Sequence, residues 1–184
     1  MNFIPDQPKA AQAVPCYEDV TSDAGWQGQT TDKTIETLKS EITTAISRLG
    51  GLVIGFTRGK FMMDKKERQG FQIRYTIETN EKLIPGRMDI AALPNKPRNR
   101  NYRQPRISYE ERSLRMSLYM FRNAIDGLWF LQQLSPGYAA LMPFMLGDEN
   151  RTISQIWNES SNLKAIMPPA DSEFIDGEVR EVKP

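Results

Sequence analysis

Five cations, Lys96, Arg98, Arg100, Arg103 and Arg106, fall between Asn95 and Arg106 with no acid among them. They alternate with Asn95, Asn99, Asn101, Tyr102 and Gln104. Arginine pairs bidentately with phosphate, and side-chain amides add neutral donors to phosphate or base edges. The Tyr102 ring offers a platform on which an unpaired base could stack. Upstream, Arg58, Lys60, Lys65, Lys66 and Arg68 gather at one expected hairpin, and Arg74 and Arg87 fall on the polar face of an expected sheet. The chemistry these residues suit is charge-assisted binding of a polyanion. An acidic protein surface, the chain's own acidic ends, or plain solvation of a connector would use the same residues.

Catalytic chemistry is narrowly bounded. The chain has no histidine and one cysteine, Cys16. That excludes Ser-His-Asp and Cys-His nucleophilic machinery, His-bearing zinc sites, multi-cysteine clusters and any intrachain disulfide. Metal-dependent phosphodiester cleavage needs neither residue, since carboxylates hold the cation and a lysine assists the water. Asp89, in the run PGRMDI, resembles the first half of the restriction-endonuclease-like PD-(D/E)xK pattern. The next acids, Glu110 and Glu111, lack a lysine two residues on, and Glu181-Val182-Lys183 falls in the tail. Asp89 is better read as a partner of Arg87 or Arg74 across the sheet. Gly50, Gly51, Gly55 and Gly59 do not form a phosphate loop, because Lys60 is followed by Phe61 in a strand-like stretch. The expectation is a non-enzymatic protein with no cofactor and no metal.

Charge is segregated along the chain although the 184 residues carry a net charge of only +1. Residues 58–115 hold 15 bases against 7 acids, whereas both flanks are net acidic. The end, PPADSEFIDGEVREVKP, sets five acids against Arg180 and Lys183.

The elements that must position these groups follow from periodicity. Ile35, Leu38, Ile42, Ala45, Ile46 and Leu49 lie on one helical face, and Gly50 stops the helix. Leu52–Phe61 reads as a strand, and MDKKERQG as a polar turn. Phe71, Ile73, Tyr75 and Ile77 alternate with polar residues, which predicts a half-buried strand. Thr79–Gly86 turns the chain into a third strand, Arg87–Leu93. Short links favour an antiparallel meander. Three prolines keep the basic connector extended. Ser108 and Glu111 form a capping box before a long helix to Leu134. Its stripe of Leu114, Leu118, Phe121, Ile125 and Leu128 is widened by Met116, Met120, Trp129 and Phe130, so the helix is central or is covered by a partner. Ser135 and Pro136 predict the start of a short helix through Leu146, bent by Pro143, and a last helix spans Thr152 to Ile166.

The predicted organisation is a flexible N-terminal arm (1–30) with Tyr17 and Trp26 pinning it locally, a single α+β domain (31–167) with its basic loop at 94–107, and an acidic C-terminal tail (168–184). The fold class is α+β: an N-terminal helix, a three-stranded antiparallel meander, then a long helix and two shorter helices between disordered tails. No apolar run reaches the ~20 residues that span a bilayer, and the start lacks a secretion signal, so the expectation is a cytoplasmic protein. Strand-strand-strand-helix order with a basic sheet is shared in outline with single-strand annealing recombination proteins, an analogy of element order that does not settle function. The expected partners are nucleic acid, with single strands favoured because no helix carries a basic recognition face, and further copies of the chain. A protein could also bind through the acidic tail. The alternative is a structural or adaptor subunit that uses the apolar helix and the tails.

Overall fold

The computed structural model describes residues 13–63, 65–79, 82–97 and 107–159. Helix α1 (Ile35–Arg48) starts where the Thr34 hydroxyl accepts a hydrogen bond from the Thr37 amide at 3.1 Å. Its apolar stripe is buried at Leu38, Ile42, Ala45 and Ile46. Gly50, at φ +87°, turns the chain out of the helix through a conformation that a side chain would oppose.

Three antiparallel strands follow in the order β1 (Gly51–Met63), β2 (Lys66–Thr79) and β3 (Lys82–Ala91). The ladder carries a bulge between Val53 and Gly55. Phe71, Ile73, Tyr75, Met88 and Ile90 are buried on the side that packs α1 and the second helix, α2 (Tyr109–Leu134). The sequence pattern placed this face and the meander correctly, but not the strand ends. Met63 pairs with Lys66, so the expected polar turn is mostly ladder, and Lys65 lies in the turn that remains. Lys60, Lys66 and Glu67 are exposed at this tip, so the alternation of buried and wet positions disappears from the sequence. Likewise the expected turn at Thr79–Gly86 is largely strand. Pro85 is tolerated because β3 is an edge: its carbonyl points away from β2 and accepts from the Leu146 amide at 2.8 Å.

Helix α2 is capped by Ser108, whose hydroxyl accepts from the Glu111 amide at 3.1 Å. The Glu111 carboxylate accepts instead from Arg115, at 2.7 Å. Leu114, Leu118 and Ile125 enter the main core. Met116 enters a second cluster with Tyr17, Val20 and Leu93, against which Trp26 packs. One flank of the wide helix is thus covered by the chain's own residues 13–30, and the expected arm is a packed layer over that stretch. The Tyr17 amide donates to the Pro94 carbonyl at 2.8 Å, which ties this layer to the chain leaving β3.

The segment after α2 departs from expectation. Ser135 ends α2, its amide donating to the Leu131 carbonyl, rather than starting a new helix. Gly137 turns the chain at φ +82°, and only one 3-10 turn, Met142–Phe144, forms before Leu146 reaches the β3 edge. Proline within so short a segment leaves little helix to propagate. Helix α3 (Ile153–Glu159) begins at Thr152, where Thr152 and Gln155 satisfy each other's amides at 2.9 and 3.2 Å. The expected continuation to Ile166 lies outside the described residues. Among the described residues no helix is long and apolar enough to cross a membrane.

Candidate nucleic-acid interface

Directly opposed residues of an antiparallel pair share a face, so register assigns each cation a side. Arg58 opposes Phe71 and Lys60 opposes Gln69, which places both on the helix side of the sheet, beyond the end of the core. Arg74 opposes Arg87 on the outer face. The expected basic surface is therefore divided between the β1–β2 hairpin and the outer sheet.

At the hairpin, the Arg58 guanidinium donates to the Gln69 amide oxygen at 2.6 Å, and Gln69 donates to Glu110 of α2 at 2.9 Å. Lys60 pairs with Glu67 at 2.6 Å, and this hydrogen bond and charge hold its ammonium above the usual lysine range. Both groups are well exposed, so the pair contributes little stability. Lys65 turns the hairpin with φ +61° and, like Lys66, is exposed. Among the described residues, Arg58, Lys65, Lys66 and Arg74 have no carboxylate within ion-pair distance.

Lys60, Lys66, Arg68 and Lys96 line one cleft of about 350 Å³ together with Glu67, Gln69, Asn95 and Glu110. Arg68 is buried there. Lys96 is held by the packed layer: its amide donates to Glu18 at 3.1 Å and its ammonium pairs with Asp19 at 2.5 Å. The Asp19 hydrogen bond raises the Lys96 pKa. Arg98, Arg100, Tyr102, Arg103 and Arg106 lie outside the described residues. The two ends of that basic run are placed, however. Lys96 leaves from this cleft, and Ile107 returns at a second cleft of about 390 Å³, lined by Gln29, Asp32, Arg112 and Arg115. Arg112 and Arg115 follow the capping box, and sequence reasoning missed them by counting them only as helix residues. Their charge and their distance from the cap were the available signal.

Arg87 has a different environment from the other candidates. Its guanidinium pairs with Asp89 at 3.1 Å and donates to the Asn150 carbonyl and the Gln155 amide oxygen, each at 2.8 Å. The side chain is 12% exposed. Arg87 thus clasps the start of α3 to the sheet, and its donors are directed into the chain. Asp89 also accepts from Gln72 at 3.2 Å. Among the described residues Arg74 donates to Gln72 alone, at 3.3 Å, and it is exposed.

No protein-family model, curated protein or solved structure matches this chain.

Proposed function

We propose that the protein binds nucleic acid without catalysing a reaction on it, takes single strands in preference to duplex, and reads little sequence. The hairpin residues Arg58, Lys65 and Lys66 supply phosphate contacts, joined by Arg74 on the outer face and by the arginine-rich run 98–106, where Tyr102 stacks a base. One observation carries the reading. Lys66, which has no carboxylate partner among the described residues, lines the cleft from which that acid-free run departs, so the hairpin and the run, distant in sequence, meet at one cleft. Lys60 and Lys96 contribute to its rim while already paired, and Arg87 serves as a clasp. The protein acts as an oligomer, in a role such as strand annealing, recombination or replication support.

The test is fluorescence anisotropy of a ~30-nucleotide single strand across a salt series, beside a duplex of equal length. Micromolar or tighter binding at low salt, falling steeply as salt rises, is expected. No binding at low salt would overturn the reading.

A second reading, as an adaptor subunit, has its own support. The far end of α2 presents Phe130 and Leu134 to solvent, Leu134 at 81% exposure, with Met142 nearby in the chain and half exposed. Apolar surface of this kind commonly meets a partner. Under that reading the basic cleft would neutralise an acidic neighbour in an assembly.

A further inference from the structure

We propose that the acidic segment Asp171–Glu181 of the same chain docks on the β1–β2 hairpin, where it holds the cations that the nucleic acid would otherwise take. The competition rests on the reading above, whereas the docking itself does not.

Three features argue for this occupant. The first is charge. The segment carries Asp171, Glu173, Asp176, Glu178 and Glu181 against Arg180 alone. The hairpin presents Arg58, Lys65 and Lys66 with no carboxylate partner among the described residues. Opposite charges at close range, in a surface of intermediate dielectric, gain several-fold over the same pair in water. The second is apolar content. Met62 and Met63 are exposed at the hairpin, Met62 by 69%, and the acidic segment carries Phe174 and Ile175 among its carboxylates. A mixed acidic and apolar peptide matches a mixed basic and apolar ridge better than a uniform polyanion does.

The third feature is precedent within the molecule. The other wall of the cleft is already neutralised by an acidic piece of this chain, since Glu18 and Asp19 hold Lys96. On the hairpin wall Lys60 is paired with Glu67, whereas Lys66 has no carboxylate partner among the described residues.

Chain length permits the contact. Helix α3 is described as far as Glu159 and is fastened to β3 through Arg87 and Gln155. Reaching β1 means crossing two strand spacings, ~10 Å, and Lys60 lies five residues along β1 from Gly55, which is level with Arg74 and Arg87, ~17 Å more. The twelve residues from Glu159 to Asp171 span up to ~40 Å when extended.

Zero-length carbodiimide cross-linking of the full chain, mapped by mass spectrometry, tests the docking. Cross-links from the tail carboxylates should concentrate on Lys60, Lys65 and Lys66 and spare Lys82, which is exposed at the other end of the sheet. Cross-links spread evenly over all exposed lysines, or absent from the hairpin, would overturn the proposal. So would their appearance mainly between light and heavy chains in an isotope-mixed sample, which would assign the tail to a second copy.

A full-length variant with D171N, E173Q, D176N, E178Q and E181Q tests the competition. It should bind the single strand about ten-fold more tightly at low salt, if docking leaves about a tenth of the hairpin free. Hairpin cross-links with no strand binding by either chain would uphold the docking and remove the nucleic-acid function. Strand binding of equal strength by both chains, without hairpin cross-links, would do the reverse.

Discussion

Arg74 and Arg87 stand directly opposite each other on β2 and β3, yet only one of them is available to a ligand. Like charges in opposed positions repel, and the sheet resolves this by turning Arg87 into a partly buried clasp on Asp89, Asn150 and Gln155 while Arg74 stays in solvent beside Gln72. The pair therefore separates a structural cation from a binding one at the same level of one sheet.

That separation can be measured. Arg87→Ala removes the cation shared by Asp89, Asn150 and Gln155 and should destabilise the fold by about 1–3 kcal/mol in chemical denaturation. Arg74→Ala should change stability by less than about 0.5 kcal/mol while weakening strand binding. Equal stability losses in the two variants would refute the assignment.

The hairpin cations set the salt dependence. Each phosphate contact to a single strand contributes about 0.7 to the slope of log K against log salt. The triple variant R58A, K65A and K66A should lower that slope by about 2 in anisotropy titrations and leave thermal unfolding nearly unchanged. A slope that stays constant would place the strand elsewhere.

Two glycines mark close approaches in the sheet. A Cβ on Gly70 would meet the Ile90 carbonyl and the Phe61 ring, and one on Gly86 would meet the Tyr75 ring. Gly70→Ala should be the costlier of the two, because a backbone carbonyl on a paired strand yields less readily than a ring. Overpacking of this kind costs about 1–3 kcal/mol, and urea unfolding of the two variants would show the order.

Tyr75 gives stability an alkaline limit. Its ring is buried, its hydroxyl donates to the Leu141 carbonyl at 3.4 Å, and burial raises its pKa well above the ordinary tyrosine value. Because the folded pKa exceeds the unfolded one, the stabilisation is complete below about pH 10 and is lost as pH rises toward the folded pKa. Tyr75→Phe should lose about 1 kcal/mol at pH 7 and show a shallower fall in stability above pH 10. Parallel pH profiles for the two proteins would exclude this role.

The extent to which the sequence foretold these features varies by element. The α1 stripe, the Phe71–Ile77 alternation and the Ser108 cap were readable because each depends on neighbours within one or two turns or on a strict period of two. The long tip of the β1–β2 hairpin was not. Its pairing is supported by cross-strand contacts such as Lys60 with Glu67, which no local period records. The segment 135–146 misled for a related reason: its proline and glycine fit either a helix start or an edge contact, and the free carbonyl of Pro85 favoured the second. Of the candidate site, the cations were legible as letters and not as roles. Nothing in the spacing of Arg74 and Arg87 distinguishes the exposed guanidinium from the clasp.

By itself, then, the sequence determined the α+β order, the buried face of the sheet, the concentration of positive charge between residues 58 and 115, and the loss of all histidine-dependent chemistry, since these are matters of composition and short-range period. Tertiary structure alone decided that residues 13–30 cover α2, that Lys96 is held by Asp19, and that the hairpin and the start of the basic run share a cleft. Each of those joins groups tens of residues apart, and the pairing of distant charges depends on which backbones the packed core brings together.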